Sequence, residues 1–132
     1  MSEMIVNKLT GKTSAGDIDV VSEGGGATMQ LQQGLAKAWI NFNGTGTVAI
    51  RGSFNAASIT DNGTGDYTLS FSNSLSSGNF AWSGGAQELF AVGVFTPSGY
   101  GTTSKRFNVK GTNTTANGDA QDVNFSLHGD LA

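Results

Sequence analysis

Two copies of Asn-Gly-Thr-Gly stand in this chain, at 43–46 within NFNGTGTVAI and at 62–65 within TDNGTGDYTL. A glycine-rich knot between apolar runs can cradle a phosphate with its backbone N–H groups, or it can turn a strand around. A phosphate loop needs a lysine and a serine or threonine at its last glycine, with a helix following. Here Gly46 leads into Thr47-Val48 and Gly65 into Asp66-Tyr67, with neither lysine nor helical pattern. Hairpins fit better, because Asn and Gly both accept positive φ and strand-like runs flank each copy. Asn43-Gly44 is expected to join a strand over 39–42 to one over 48–50. Asn62-Gly63 is expected to join a strand around Ile59 to one over 67–71. The second glycine of each copy then allows a bulge or a close approach of backbone.

Other residues offer catalysis or binding. His128 is the lone histidine, and serines and aspartates are plentiful, but no Gly-x-Ser-x-Gly elbow is present. Three aspartate pairs occur: Asp17 with Asp19, Asp61 with Asp66, and Asp119 with Asp122. Paired carboxylates can serve a glycosidase or hold calcium. No EF-hand spacing is present, and these positions are ones where turns commonly use aspartate. Trp82, Phe80 and Tyr100 lie in or beside Gly/Ser-rich stretches. Loop aromatics can stack on sugars while amides reach their hydroxyls, or they can plug the end of a sandwich or a threefold interface. Lys105 and Arg106 can pair with acidic glycans, or keep an edge strand soluble. The expected ligand surface is therefore Trp82, Tyr100, Lys105, Arg106, Asn113 and Asn117, displayed on loops. No catalytic residue, metal or cofactor is expected.

The elements that must position these residues are strands. DYTLSFS puts Tyr67, Leu69 and Phe71 on one face and Asp66, Thr68 and Ser70 on the other. DVNFSLHG repeats the pattern with Val123, Phe125 and Leu127 inward and Asn124, Ser126 and His128 outward. KRFNVKG sets Phe107 and Val109 against Arg106, Asn108 and Lys110. AKAWINFN sets Ala38, Ile40 and Phe42 against Trp39 and Asn41. ELFAVGVF, at 88–95, is almost continuously apolar and reads as a strand buried on both sides. In MQLQQGLAKAW, Gly34 interrupts any helix, so a short turn leading into a strand is expected. Turn chemistry at 43–46, 62–65, 77–80, 83–85, 97–101 and 111–119 separates these runs. This spacing predicts an all-β fold, an antiparallel, jelly-roll-like β-sandwich. The first 34 residues hold three short strand-like pieces, EMIVNKLTG, AGDIDVVSEGG and ATMQLQ, and read as an extended arm before a domain at 35–132.

Composition narrows the function classes. Across 132 residues the net charge is -3, and no basic run exists, which argues against neutralising nucleic-acid phosphates. Charged residues are 13% of the chain, about half the usual share, and 20 glycines are about twice it. Hydroxyls and amides carry the surface polarity instead, a balance resembling that of extracellular and virion β-proteins. Without cysteine there are no disulfides, thiolate nucleophiles or thiolate–zinc sites. No apolar run reaches the ~20 residues of a membrane helix, and no secretory leader is read at the N-terminus. The expectation is synthesis in a cytoplasm without a cleaved leader, as for a virion component released by lysis.

Residues 30–71, QLQQGLAKAWINFNGTGTVAIRGSFNAASITDNGTGDYTLSF, closely resemble a module of tail fibre and receptor-binding proteins of tailed bacteriophages, especially marine ones. KAWINFNGTGT and SITDNGTGDYTLSF are its most specific parts. The closing DVNFSLHGD is similar to the module's usual end, and MIVNKLTGKTSAGDIDVVSEGG looks like the start of short stand-alone members. Residues 73–120 depart from the pattern. The resemblance implies a β-sandwich-like module, usually trimeric, at the outer surface of a virion, and it implies no catalytic residues. The expectation is a homotrimeric virion protein whose residues 1–34 attach it to other virion proteins. Residues 35–132 would bind a host-surface glycan. A capsid decoration or head-fibre protein is the alternative.

Overall fold

The computed structural model describes residues 4–12, 18–87, 90–93, 101–111 and 116–132. They form two compact units, Met1–Leu35 and Ala36–Ala132.

In the first unit, β1 (Asp19–Val21) pairs antiparallel with β2 (Thr28–Gln30) around a turn in which Gly25 takes φ +68°. A single helical turn, α1 (Leu31–Gly34), follows; its C-terminal neighbour Leu35 already returns to extended backbone. Residues 4–12 are irregular and not the strand their apolar letters suggest. Met4, Ile5, Val20, Val21 and Met29 are exposed.

The second unit is an antiparallel β-sandwich. One sheet has the order β4-β3-β10-β7: β3 (Ala38–Asn43), β4 (Ala49–Phe54), β7 (Ala81–Ala86) and β10 (Val123–His128). The other has the order β5-β6-β9-β8: β5 (Ala56–Gly63), β6 (Asp66–Phe71), β8 (Phe90–Gly93) and β9 (Ser104–Gly111). Alternation decides the layers. Ile40, Phe42, Phe125 and Leu127 from one sheet face Tyr67, Leu69, Phe107 and Val109 from the other, all essentially buried. Aromatic edges knit the layers: Phe42 meets Tyr67 edge-on at 4.9 Å, and Phe107 stacks on Phe125 at 4.9 Å. The chain changes sheet between β4 and β5 at Asn55, a non-glycine residue at φ +54°. Asn tolerates that conformation, and its side-chain amide reaches Lys37 O and Asn73 O while its Oδ1 accepts from Asn73 N.

Several expectations are corrected. SGG at 83–85 is no separator; it lies within β7. Gly84 faces inward, where a Cβ would sit 3.0 Å from Val92, so the missing side chain lets the sheets close up. Of the apolar run at 88–95 the described part, β8, does form a strand, at the end of its sheet beside β9, and Val92 in it is buried. Lys105 and Arg106 do not keep an edge strand soluble, because β9 is flanked by both β6 and β8.

Candidate functional site

The two Asn-Gly-Thr-Gly copies are both connections, but neither is a two-residue Asn-Gly hairpin. The first joins β3 to β4 through residues 44–48. Asn43 Oδ1 accepts from the N–H of Thr45 at 3.2 Å and from its hydroxyl at 2.9 Å, an Asx-type turn, and Gly46 supplies φ +64°. In the second copy β5 runs on to Gly63, so Thr64-Gly65 makes the tight turn and Asn62 becomes the extra residue of a bulge. Asn62 then donates to the Thr68 hydroxyl at 2.8 Å.

Both copies converge on the segment 118–120. Gly44 N–H donates to Ala120 O at 2.9 Å, and Gly65 N–H donates to Asp119 Oδ1 at 2.7 Å. The buried Tyr67 hydroxyl links the two loops, with Gly44 O at 3.0 Å and Asp119 Oδ1 at 2.8 Å. A Cβ on Gly44 would fall 2.6 Å from the Tyr67 oxygen, and one on Gly65 2.6 Å from Gly118 N and Val109 O. Burial, then the hydrogen bond to Asp119, pushes the Tyr67 phenol well above its ordinary value. This constellation closes one end of the sandwich and presents no cluster for proton transfer.

A constellation with room for a ligand lies on the solvent face of the β4-β3-β10-β7 sheet. The same alternation that buries Ile40 and Phe125 turns Trp39, Asn41, Asn124, Ser126 and Ser83 outward. Trp39 is 42% exposed, lies over Gly52 of β4 with ring carbons 3.5 Å from a Cβ placed there, and has Phe54, 52% exposed, as its cross-strand partner. Next to it, Ser83 and Ser126 share a 2.9 Å hydrogen bond. Two residues further along β3, Asn41 donates to Asn124 Oδ1 at 2.7 Å and to Asp122 Oδ1, to which Asn124 also donates at 3.2 Å. Arg51, the bulged residue of β4, faces the other Asp122 oxygen at 3.6 Å. A depression of about 370 Å³ runs between Trp39 and these amides, floored by Ser83–Gly85 and Asn124–Ser126. A second hollow of about 410 Å³ adjoins it at Gly85 and Asn124 and extends to Asp122 and Gln87.

Of the ligand residues expected from the sequence, those described fall elsewhere. Trp82 is on β7, not a loop; its half-buried ring points inward and stacks on Phe125 at 5.8 Å. Lys105 is fully buried because its position in β9 shares the inward phase of Phe107, and its ammonium lies 5.3 Å from the Phe80 ring centre. Burial lowers its pKa from 10.5 to about 8. Arg106 faces outward on β9 and forms a fork with Asp66. The Arg106 hydrogen bond holds the Asp66 carboxyl below its ordinary range. Asn117 is exposed and bridges to Lys110, while Tyr100, Asn113 and Asp17 lie outside the described residues. Asp61 caps Gly63, Asp119 and Asp122 serve the two networks above, and His128 ends β10 opposite Ala81. Among the described residues no group of three His, Asp or Glu could hold a metal, and no helix is long and apolar enough to cross a membrane. The sequence had placed Trp39 and Asn41 off the core face; the missing signal was that β10 and β7 would bring matching amides and hydroxyls alongside.

No protein-family profile matches this chain, and neither does a curated protein or a solved structure.

Proposed function

We propose that this chain is a structural protein of a bacteriophage virion, of tail fibre type, that attaches particles to the host surface by binding a glycan without altering it. The phage assignment rests on the likeness of residues 30–71. The glycan assignment rests on one observation: an exposed tryptophan beside a buttressed amide and hydroxyl cluster on a shallow sheet face. Aromatic faces stack on the apolar faces of sugar rings, and amides and hydroxyls match ring hydroxyls. Single contacts of this kind are weak, and a homotrimer on a multivalent particle raises their avidity. The binding surface moves accordingly, from loops to the outer face around Trp39.

Capsid decoration remains a second reading because the first unit exposes Met4, Ile5, Val20, Val21 and Met29, which an assembly partner would cover. Fluorescently labelled full-length chain, sized by light scattering, should form trimers and label some members of a panel of marine bacteria. Binding to isolated, expanded phage capsids with no labelling of cells would replace attachment by decoration.

A further inference from the structure

We infer that the outer face of the β4-β3-β10-β7 sheet is selective for uncharged glycans, with Trp39 as the stacking platform. This deepens the attachment reading and rests on it. The selectivity follows from how charge is spent on the face. Asp122 is the carboxylate of the amide cluster, and its two oxygens are already addressed, one by Asn41 and Asn124, the other by Arg51. Arg51, half exposed, faces Asp122 at 3.6 Å, and the two opposite charges together leave this part of the surface close to neutral. A uronate or sialate carboxylate would meet the Asp122 charge together with that of Arg51 and gain no net attraction from the pair. Arg106 is on the other sheet and engaged by Asp66, and Lys105 is buried, so neither adds positive charge to this face.

The groups offered to a ligand are dipolar. Asn41 uses its amide nitrogen inside the cluster, which leaves its carbonyl oxygen as acceptor, and Asn124 retains a second amide hydrogen. Ser83 and Ser126 can each rotate between donating and accepting. Sugar hydroxyls, which also do both, are the complementary chemistry. Trp39 and Asn41 are two residues apart on one strand, about 7 Å, so one saccharide unit stacked on the indole places its hydroxyls at the amides. Gly85 keeps the neighbouring space open, since a Cβ there meets nothing within 4 Å and its φ is not positive.

The test titrates the full-length chain with neutral oligosaccharides (malto-, cello- and manno-oligosaccharides) and with oligogalacturonate, following tryptophan fluorescence in the Trp82→Phe background. There the signal comes from Trp39. Saturable binding of at least one neutral series and none of the uronate is expected. Trp39→Ala, read by calorimetry, and Gly85→Leu, which fills the depression without strain, should each weaken binding by about tenfold or more. The same neutral sugars should compete with the labelling of bacteria. Preferential uronate binding would overturn the inference. So would cells labelled equally by wild type, Trp39→Ala and Gly85→Leu, although attachment would then stand through another surface. A shift from trimer to monomer in Trp39→Ala would show the face to be a subunit contact and also overturn it. If no sugar binds and no cell is labelled, both the inference and the attachment reading fail.

Discussion

At the scale of residues, two glycines with nearly the same dihedral differ in what they tolerate. Gly46 sits at φ +64° with nothing within 4 Å of a Cβ, and Gly65 at φ +61° with three backbone atoms within 2.8 Å. Asparagine accepts this region, so Gly46→Asn should lower stability by no more than about 1 kcal/mol. Gly65→Asn should cost several times as much or prevent folding, since backbone must move; urea melts of both variants compare them. Tyr67→Phe should cost about 1–3 kcal/mol, because the one phenolic hydrogen, shared between the Gly44 carbonyl and the Asp119 carboxylate, is lost from a buried site. Lys105 gives a pH signature. Its pKa is lower in the folded chain, about 8 against 10.5, so between those values the unfolded chain binds the extra proton. Stability should therefore rise from about pH 8 towards 10. Above that the raised Tyr67 pKa reverses the slope, because the unfolded phenol deprotonates first. In Lys105→Met the rise should vanish, as read from urea midpoints across that range. The sequence concealed this lysine because charge argues for exposure, whereas strand phase, set by Phe107 and Val109, puts it inside.

At the scale of elements, the alternating strands were legible: the inward triplets of β3, β6 and β10 are buried as their letters imply. Long apolar periodicity is a local property and survives without knowledge of partners. What was not legible depended on the opposite layer. The glycines of β7 look like a loop until Val92 fills the space above Gly84, and Trp82 looks loop-borne until Phe125 stacks beneath it. The turn of the second repeat likewise shifted from Asn62-Gly63 to Thr64-Gly65, because Gly65 has to meet Asp119 and Val109. Hydrogen exchange should order the strands by position in their sheets. Amides of β3, β10, β6 and β9, paired on both sides, should exchange last, and those of β4, β7, β5 and β8 at the sheet ends well before them. Equal protection across all eight would contradict this order.

At the scale of the whole molecule, every described residue of the buried core lies between Ala38 and Leu127. The first unit buries none of its large apolar residues Met4, Ile5, Val20, Val21 and Met29. Removing residues 1–35 should therefore shift the thermal midpoint of the sandwich by no more than about 2 °C, measured by circular dichroism. A larger fall would mean that the first unit contributes to the stability of the second. The candidate site was legible only in part, because ordinary sequence patterning marks Trp39 as a solvent-facing strand residue and nothing more. Its value depends on Asn124, Ser126 and Ser83, which lie more than forty positions away along the chain and reach it only through pairing with β10 and β7.

The paired tetrapeptides carry an evolutionary consequence. In the first copy the glycine pressed against Tyr67 is the leading one, Gly44; in the second the glycine pressed against Gly118 is the trailing one, Gly65. The glycine with no room for a side chain therefore stands at opposite ends of two identical words. As lineages diverge, Gly46 should drift to asparagine, while Gly44 and Gly65 stay fixed by crowding and Gly63 by its φ of +127°, until the two copies no longer look like repeats although both still close the same end of the sandwich.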